Sequence, residues 1–145
     1  RHSLKQLLPQ APIDINLLPG PDLIVEVAHP PKAARMGMRL VEGKPLLEAV
    51  PEFRDQPYPA LLREVYETGE PRVGTEAEVL YDRTGTGQLE ATFWDYMYLP
   101  IRGASGNVEG VMTCDLEVTG QVLAKRALHD SEERLRLAMA ASSFG

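Results

Sequence analysis

One cysteine, Cys114, is the whole thiol content of these 145 residues, so no internal disulfide can form. The three histidines, His2, His29 and His129, are far apart in sequence. None has a cysteine or a second histidine at metal-ligand spacing, which leaves them as loop or surface residues. Basic residues are in deficit, with 15 Lys and Arg against 21 Asp and Glu and a formal charge of -6. That balance lacks the phosphate-neutralising surface of a nucleic-acid binder. No apolar run approaches the roughly 20 residues that cross a bilayer. No basic-then-apolar leader precedes a cleavage site, and the chain reads as cytoplasmic. Catalytic signatures are missing too. "RTGTGQ" beside Arg83 has two glycines but neither the lysine nor the following helix of a phosphate loop, and reads as a hairpin turn. His29 and Cys114 have no third orienting group and no cysteine-hydrolase signature around the thiol, so Cys114 reads as a small core thiol. The sequence opens at Arg1 rather than methionine and stops at Gly145 within a helical pattern, as expected of a piece of a longer protein.

What is present is the composition of an ordinary soluble domain, 43% hydrophobic and 25% charged. Leu4, Leu7 and Leu8 have helical spacing before Pro9, suggesting the tail of an incoming helix. Two β-rich runs, Ile13 to Leu18 and Asp22 to Ala28, flank the turn "PGP". "KAARMGMRL" and "LLEAVPEF" permit short helices, and Pro59 to Thr68 is the clearest helix. Its stripe is Leu61, Leu62, Val65 and Tyr66, Pro59 sits in the first turn, and Gly69 with Pro71 supplies the stop. The period then changes to two: Val73, Thr75, Ala77, Val79 and Tyr81 define an inner face, with Glu76 and Glu78 outside. Leu89 to Arg102 is apolar on both faces and is expected to be central. After the turn "GASGN", Gly110, Met112, Cys114, Leu116 and Val118 form the apolar phase of the last strand. Glu109, Thr113, Asp115 and Glu117 form its polar phase, which only Val111 breaks. Helical period returns from Gly120. The order β-β-α-α-α-β-β-β-α predicts an α+β fold, an antiparallel sheet with helices inserted between strands two and three.

This order, with the segments "LLPGPDLIVEVAHP", "GKPLLEAVPEF", "LLREVYETGEP" and "YLPIRGASGNVEGVMTCDLEVTGQV", resembles the Per-Arnt-Sim (PAS) sensor domain of bacterial histidine kinases and related signalling proteins. The resemblance covers about Ala11 to Ala127. It implies a five-stranded antiparallel sheet with flanking N- and C-terminal helices. Residues 1–10 would be an incoming helix or linker, 11–119 the domain, and 120–145 an exit helix that begins a following repeat. The family's final strand commonly ends in Asp-Ile-Thr or Asp-Val-Thr. Here the triplet is Glu117, Val118, Thr119, which keeps the charge and adds a methylene, and His29 stands where Asn often precedes Pro. Glu117, Val118 and Thr119 are accordingly the expected signal-relay residues.

The implied function is a sensory or dimerisation module without catalysis of its own, a homodimer joined in its parent chain to a kinase or other output domain. A ligand-free structural module and a small thiol enzyme using Cys114 are the alternatives. A small-molecule cavity between sheet and helices would be lined by Leu62, Tyr66, Val79 and Trp94, with Met112, Cys114 and Leu116 from the last strand; a filled core is the other reading of the same stripe. The cofactor is not identified. Flavin is disfavoured because light-sensing members carry an Asn-Cys-Arg-Phe-Leu-Gln type signature on the helical crossing, where this chain has no cysteine. Haem is disfavoured because Pro59 to Thr68 has no histidine. At the carboxyl end, Leu128 and Leu135 are seven apart, with Ala124, Ser131 and Ala138 at complementary heptad positions. Asp130 and Glu133 have capping-box spacing, and Glu132 can pair with Arg136. A solvated linker and a dimerising helix both fit that pattern.

Overall fold

The computed structural model describes residues 13–27 and 42–142. The expected incoming helix at 1–10, the short helix "KAARMGMRL", His2 and His29 lie outside the described residues.

The chain forms β1 (Ile13–Pro19), a two-residue β2 (Glu26–Val27), α1 (Leu46–Ala49), a 3₁₀ helix (Pro51–Asp55) and α2 (Tyr58–Thr68). There follow β3 (Arg72–Tyr81), β4 (Glu90–Arg102), β5 (Val108–Glu117) and α3 (Thr119–Ser142). The strands make one antiparallel sheet in the order β2-β1-β5-β4-β3, so the first and last long strands pair at its middle. Four strands are long. The fifth expected strand is present only as the short β2, which pairs Asn16 with Val27 and Leu17 with Glu26. α1, the 3₁₀ helix and α2 lie between β2 and β3, as the order of elements predicts, and α3 follows β5.

Local chemistry sets the helix ends. Val50 precedes Pro51, a position that disfavours helical backbone, and α1 stops at Ala49. α2 starts with Pro59 in its first turn and ends at Gly69, whose left-handed backbone (φ 73°) lets its N–H donate to the Val65 carbonyl at 2.8 Å. The α2 stripe turns Leu62 and Val65 onto the sheet, 2% and 0% exposed, with Leu61 and Tyr66 partly buried beside them. α3 runs through Asp130 without interruption, so the capping-box spacing of Asp130 and Glu133 marks no new helix start. Arg136 pairs with Glu133 one turn back.

Two apolar clusters use the two faces of the sheet. Leu18, Phe53, Leu62, Val65, Trp94 and Val111 belong to the main core under α1 and α2. Phe93, Val118 and Val122 form a second cluster where α3 begins. The two-faced apolarity of β4 thus has a physical cause: Trp94 and Tyr98 serve the main core while Phe93 serves the exit helix.

The side-chain phase of two strands departs from expectation. In β3 the pairing with β4 slips between Gly74 and Ala77, and Glu76 sits at φ 50°. Val79 and Tyr81 are buried, whereas Val73, on the far side of the bulge, is 69% exposed and Thr75 is exposed. In β5 the expected phase is inverted. Val111 is 0% exposed and Thr113 5%, both turned to the helices, while Met112, Cys114 and Leu116 occupy the opposite face, only partly covered.

Candidate functional site

The inverted phase of β5 decides what the core contains. β1 and β5 pair with Asn16 opposite Thr113 and Asp14 opposite Asp115, and these polar side chains share the helix-facing side of the sheet. Asp14 is 0% exposed and Asn16 3%. Above them, between the sheet and the helical crossing, lies a cavity of about 60 Å³. Its floor is Asn16, Thr113 and Asp115; its walls include Tyr81, Trp94 and Tyr98 from the sheet, and Phe53 and Leu62 from the crossing. The volume is well below the roughly 150 Å³ of an apolar cavity that accommodates benzene.

The aromatic walls are interlocked. Tyr81 and Trp94 meet edge to face at 5.9 Å between ring centres, and Tyr96 stacks on Tyr98 at 4.4 Å. Tyr96 also lies over Gly74, where an added Cβ would come within 2.0 Å of the ring, so this crossing of β3 and β4 requires glycine. Two polar handles are already engaged. Trp94 Nε1 donates to Thr92 Oγ1 at 2.8 Å, Thr92 donates on to the Val79 carbonyl at 2.6 Å, and the Tyr58 hydroxyl donates to the Glu78 carbonyl. Asn16 Nδ2 donates to Thr113 Oγ1 at 3.2 Å, but Asn16 Oδ1 is buried without a hydrogen-bond partner. Burial first, then the negative charges of Asp115 and Asp14, push the Tyr81 phenol well above its ordinary range. Burial followed by Asp115 does the same to Tyr98.

Of the residues expected to line a cavity, Leu62, Val79 and Trp94 do so. Tyr66 packs against the core from α2 without reaching the cavity, its ring lying against Gly20. Met112, Cys114 and Leu116 are on the other side of the sheet, and period-two alternation is the reason: the neighbours that do reach the cavity are Thr113 and Asp115. The Cys114 thiol is raised by burial and by Asp115, away from the thiolate form a nucleophile needs. Asp14, Asn16, Thr113 and Asp115 went unnoticed as site residues because polar side chains in a strand read as its wet face, while Tyr81 and Tyr98 read as inner-face or apolar strand positions with no site role. Val111 was the available signal, an apolar residue in the polar phase of β5.

The three expected relay residues come together at the exit from the sheet. Glu117 accepts from Arg83 of the β3–β4 turn and, at 2.7 Å, from the Thr119 hydroxyl. Thr119 Oγ1 accepts from the Phe93 N–H at 2.9 Å, and Val118 N donates to the Phe93 carbonyl at 2.7 Å. Val118 and Val122 then pack on Phe93, and the Arg126 guanidinium sits 4.6 Å from its ring centre. Lys125 reaches Glu76 at the β3 bulge, 2.7 Å away. Arg83 was read only as part of a turn, since nothing local predicts a partner 34 residues on.

No protein-family model matches the chain. Among solved structures, a sensory box sensor histidine kinase from Vibrio cholerae is similar over 80% of this chain and 87% of its own, at 20% identity and a TM-score of 0.56. The PAS domain of a protein from Colwellia psychrerythraea is similar over 80% of this chain and 94% of its own, at 12% identity and a TM-score of 0.58. A light-oxygen-voltage domain studied with a flavin analogue covers 92% of this chain and 96% of its own, at 20% identity and a TM-score of 0.58. At these identities the likeness establishes the fold, which is that of a PAS domain. No helix among the described residues is long and apolar enough to cross a membrane.

Proposed function

We propose that this chain is the sensory module of a signal-transduction protein, in which occupancy of the cavity over β1 and β5 alters the packing of β4 and the change leaves through α3. The observation that carries the reading is the continuity from cavity to exit. Trp94 lines the cavity, and its neighbour in β4, Phe93, holds both Val118 and Thr119 through its backbone and Val122 through its ring. A shift of β4 of a few tenths of an ångström at Trp94 is therefore applied directly to the first turn of α3. Glu117, Val118 and Thr119 act as relay residues in this reading, with Arg83 as the clamp that keeps Glu117 in place.

The module works as a homodimer and passes its signal to an output domain of the same parent chain in a cytoplasmic protein. The similarity to a sensor histidine kinase supports a kinase as that output. It performs no catalysis: the raised thiol of Cys114 is poorly suited to nucleophilic attack. Flavin belongs among the ligands to test, given the similarity to a light-oxygen-voltage domain. A flavin in this cavity would lack a thiol partner, because the chain's one cysteine is on the opposite sheet face.

The test enlarges the cavity and listens at the helix. Val79→Ala is expected to accelerate amide hydrogen exchange at Val118 and Val122, whereas Val73→Ala, a change at an exposed position of the same strand, leaves both amides as they were. Equal exchange in the two variants would show that cavity and helix are uncoupled and would remove the relay.

A further inference from the structure

The face of the sheet turned away from α1 and α2 carries an apolar row of its own. Directly opposed residues on neighbouring strands share a face, and Val73, Met97, Cys114 and Ile15 are opposed in turn across β3, β4, β5 and β1. Ile13 and Leu116 form a second row toward the start of α3. Met97 is 42% exposed and Ile13 38%, and Val73 is open on the same side. An antiparallel sheet with one face in water normally turns polar residues outward; here the outward positions are the apolar ones. They bound a groove of about 320 Å³, against about 60 Å³ for the interior cavity. Among the described residues, α3 covers only one end of this face, at Phe93 and Leu116.

The chain itself supplies a cover. Ile13, on the rim of the groove, is where residues 1–12 join the sheet. In that stretch Leu4, Leu7 and Leu8 lie on one side of a helical period, and Arg1 and Lys5, four apart, flank them. The stretch has no acidic residue, while the groove is bordered by Asp95, opposite Leu116. Pro9 and Pro12 interrupt the helical pattern before β1, and residues 9–12 have the length of an ordinary connection in which a chain can turn back. Size points the same way. Four strands about 4.8 Å apart, with roughly two or three outward side chains about 6.8 Å apart along each, give a footprint of about 300 Å². That is well short of the roughly 800 Å² each partner brings to a stable protein–protein interface. Eight helical residues, about 12 Å long and about 10 Å wide, fit within it. The other stretch outside the described residues, 28–41, leaves from β2 and rejoins beside it, at the opposite edge of the sheet from β3.

We propose that residues 3–8 seat Leu4, Leu7 and Leu8 in this groove, over Cys114 and Met97, with the basic flank toward Asp95. Leu116 belongs both to the groove and to the cluster of Phe93, Val118 and Val122, so the seated segment bears on the first turn of α3 from the face opposite the cavity. It is a second input to the exit helix and does not depend on occupancy of the cavity.

Cys114 is the reporter, being the one thiol and lying in the groove. Its alkylation by N-ethylmaleimide, an uncharged reagent, is followed in the whole chain and in the triple variant Leu4→Gln, Leu7→Gln, Leu8→Gln. The variant is expected to react about tenfold faster at every protein concentration, with unchanged near-ultraviolet circular dichroism. Equal rates overturn the proposal. Protection in the parent that grows with protein concentration overturns it too, by assigning the groove to a second copy. A further experiment does not require the triple variant to fold. Leu4→Cys, Leu7→Cys and Leu8→Cys are each oxidised with copper phenanthroline, beside Gln6→Cys, which is off the leucine stripe. At least one of the three is expected to bridge to Cys114 within the chain, giving a faster-migrating monomer in non-reducing electrophoresis, and Gln6→Cys much less. Bridges formed only between chains, or as readily from Gln6→Cys as from the leucine positions, overturn the assigned seat.

Discussion

Tyr81 shows how single side chains carry the properties of this cavity. Its hydroxyl is buried beside Asp115 and Asp14, so the folded protein holds the phenolic proton well above the ordinary 10.0. Tyr98 is raised in the same direction by burial and Asp115. The consequence for stability has a definite sign. Below the unfolded value both states are protonated and stability is at its full level; above it the unfolded chain releases protons that the folded chain keeps, so stability falls as pH rises from about 10. Urea midpoints are therefore expected to drop between about pH 9 and about pH 11, and the drop should be smaller in Tyr81→Phe and Tyr98→Phe than in the parent. Absorbance titration provides the direct check, and ordinary ionisation of all five tyrosines near 10 would contradict the burial assigned to these two. At this scale the sequence was least legible. Asp14 and Asn16 are polar residues in an alternating strand, and a rule that sends polar side chains to water places them on the wrong side of β1. The same rule turned Met112, Cys114 and Leu116 inward. It failed because Asp14, Asn16 and Thr113 are buried on the helix-facing side of the sheet, and in β5 the apolar residue that marks that side is Val111.

Elements were read more faithfully, because their ends depend on backbone chemistry that survives without tertiary context. Gly69 stops α2, Pro51 limits α1, and the order of strands and helices followed from changes in period. The β3 bulge was not legible, since a slip in pairing has no signature in one strand alone; it turns Glu76 toward Lys125 and so adds a contact to α3. The more consequential element-scale contact is the clamp from the β3–β4 turn to the end of β5. Arg83 and Glu117 each have side chains about a fifth exposed (21%), and Glu117 also holds the Thr119 hydroxyl. Arg83→Ala is expected to destabilise the domain by on the order of 1–2 kcal/mol. Arg83→Ala, Glu117→Ala and the double variant should not add, because either single change already breaks the shared link. In the parent protein, Glu117→Ala and Thr119→Ala should alter output or its response while circular dichroism reports an intact fold. Additive stability losses in the cycle would show that Arg83 acts elsewhere, for instance through Glu90 at 3.8 Å.

At the scale of the whole molecule, the distribution of burial along α3 is uneven. Its 24 residues extend about 36 Å at 1.5 Å per residue. Only Val122 is buried within the helix, and the seat ends near Arg126. Beyond that seat Leu128 is 60% exposed and Leu135 62%, one heptad apart, with Ser131 between them and Ala124 and Ala138 continuing the same spacing on either side. A helix in water gains little from propensity alone over such a length; packing of an apolar seam supplies most of the stability of helices in proteins. The seam has the spacing of a narrow coiled coil, and small residues at its intervening positions allow two backbones to come close. In the homodimer proposed for this module, α3 would meet its counterpart along that seam, and the signal would reach the output domain as a change in the register or angle of two helices. Leu128→Glu with Leu135→Glu places like charges across the seam and is expected to convert a concentration-dependent dimer into a monomer in sedimentation equilibrium. Near-ultraviolet circular dichroism of Trp94 and its tyrosine neighbours should be unchanged, because neither leucine touches the core. Identical sedimentation of parent and variant would show that α3 is not the dimer contact, and the relay would then have to deliver its signal from a single helix.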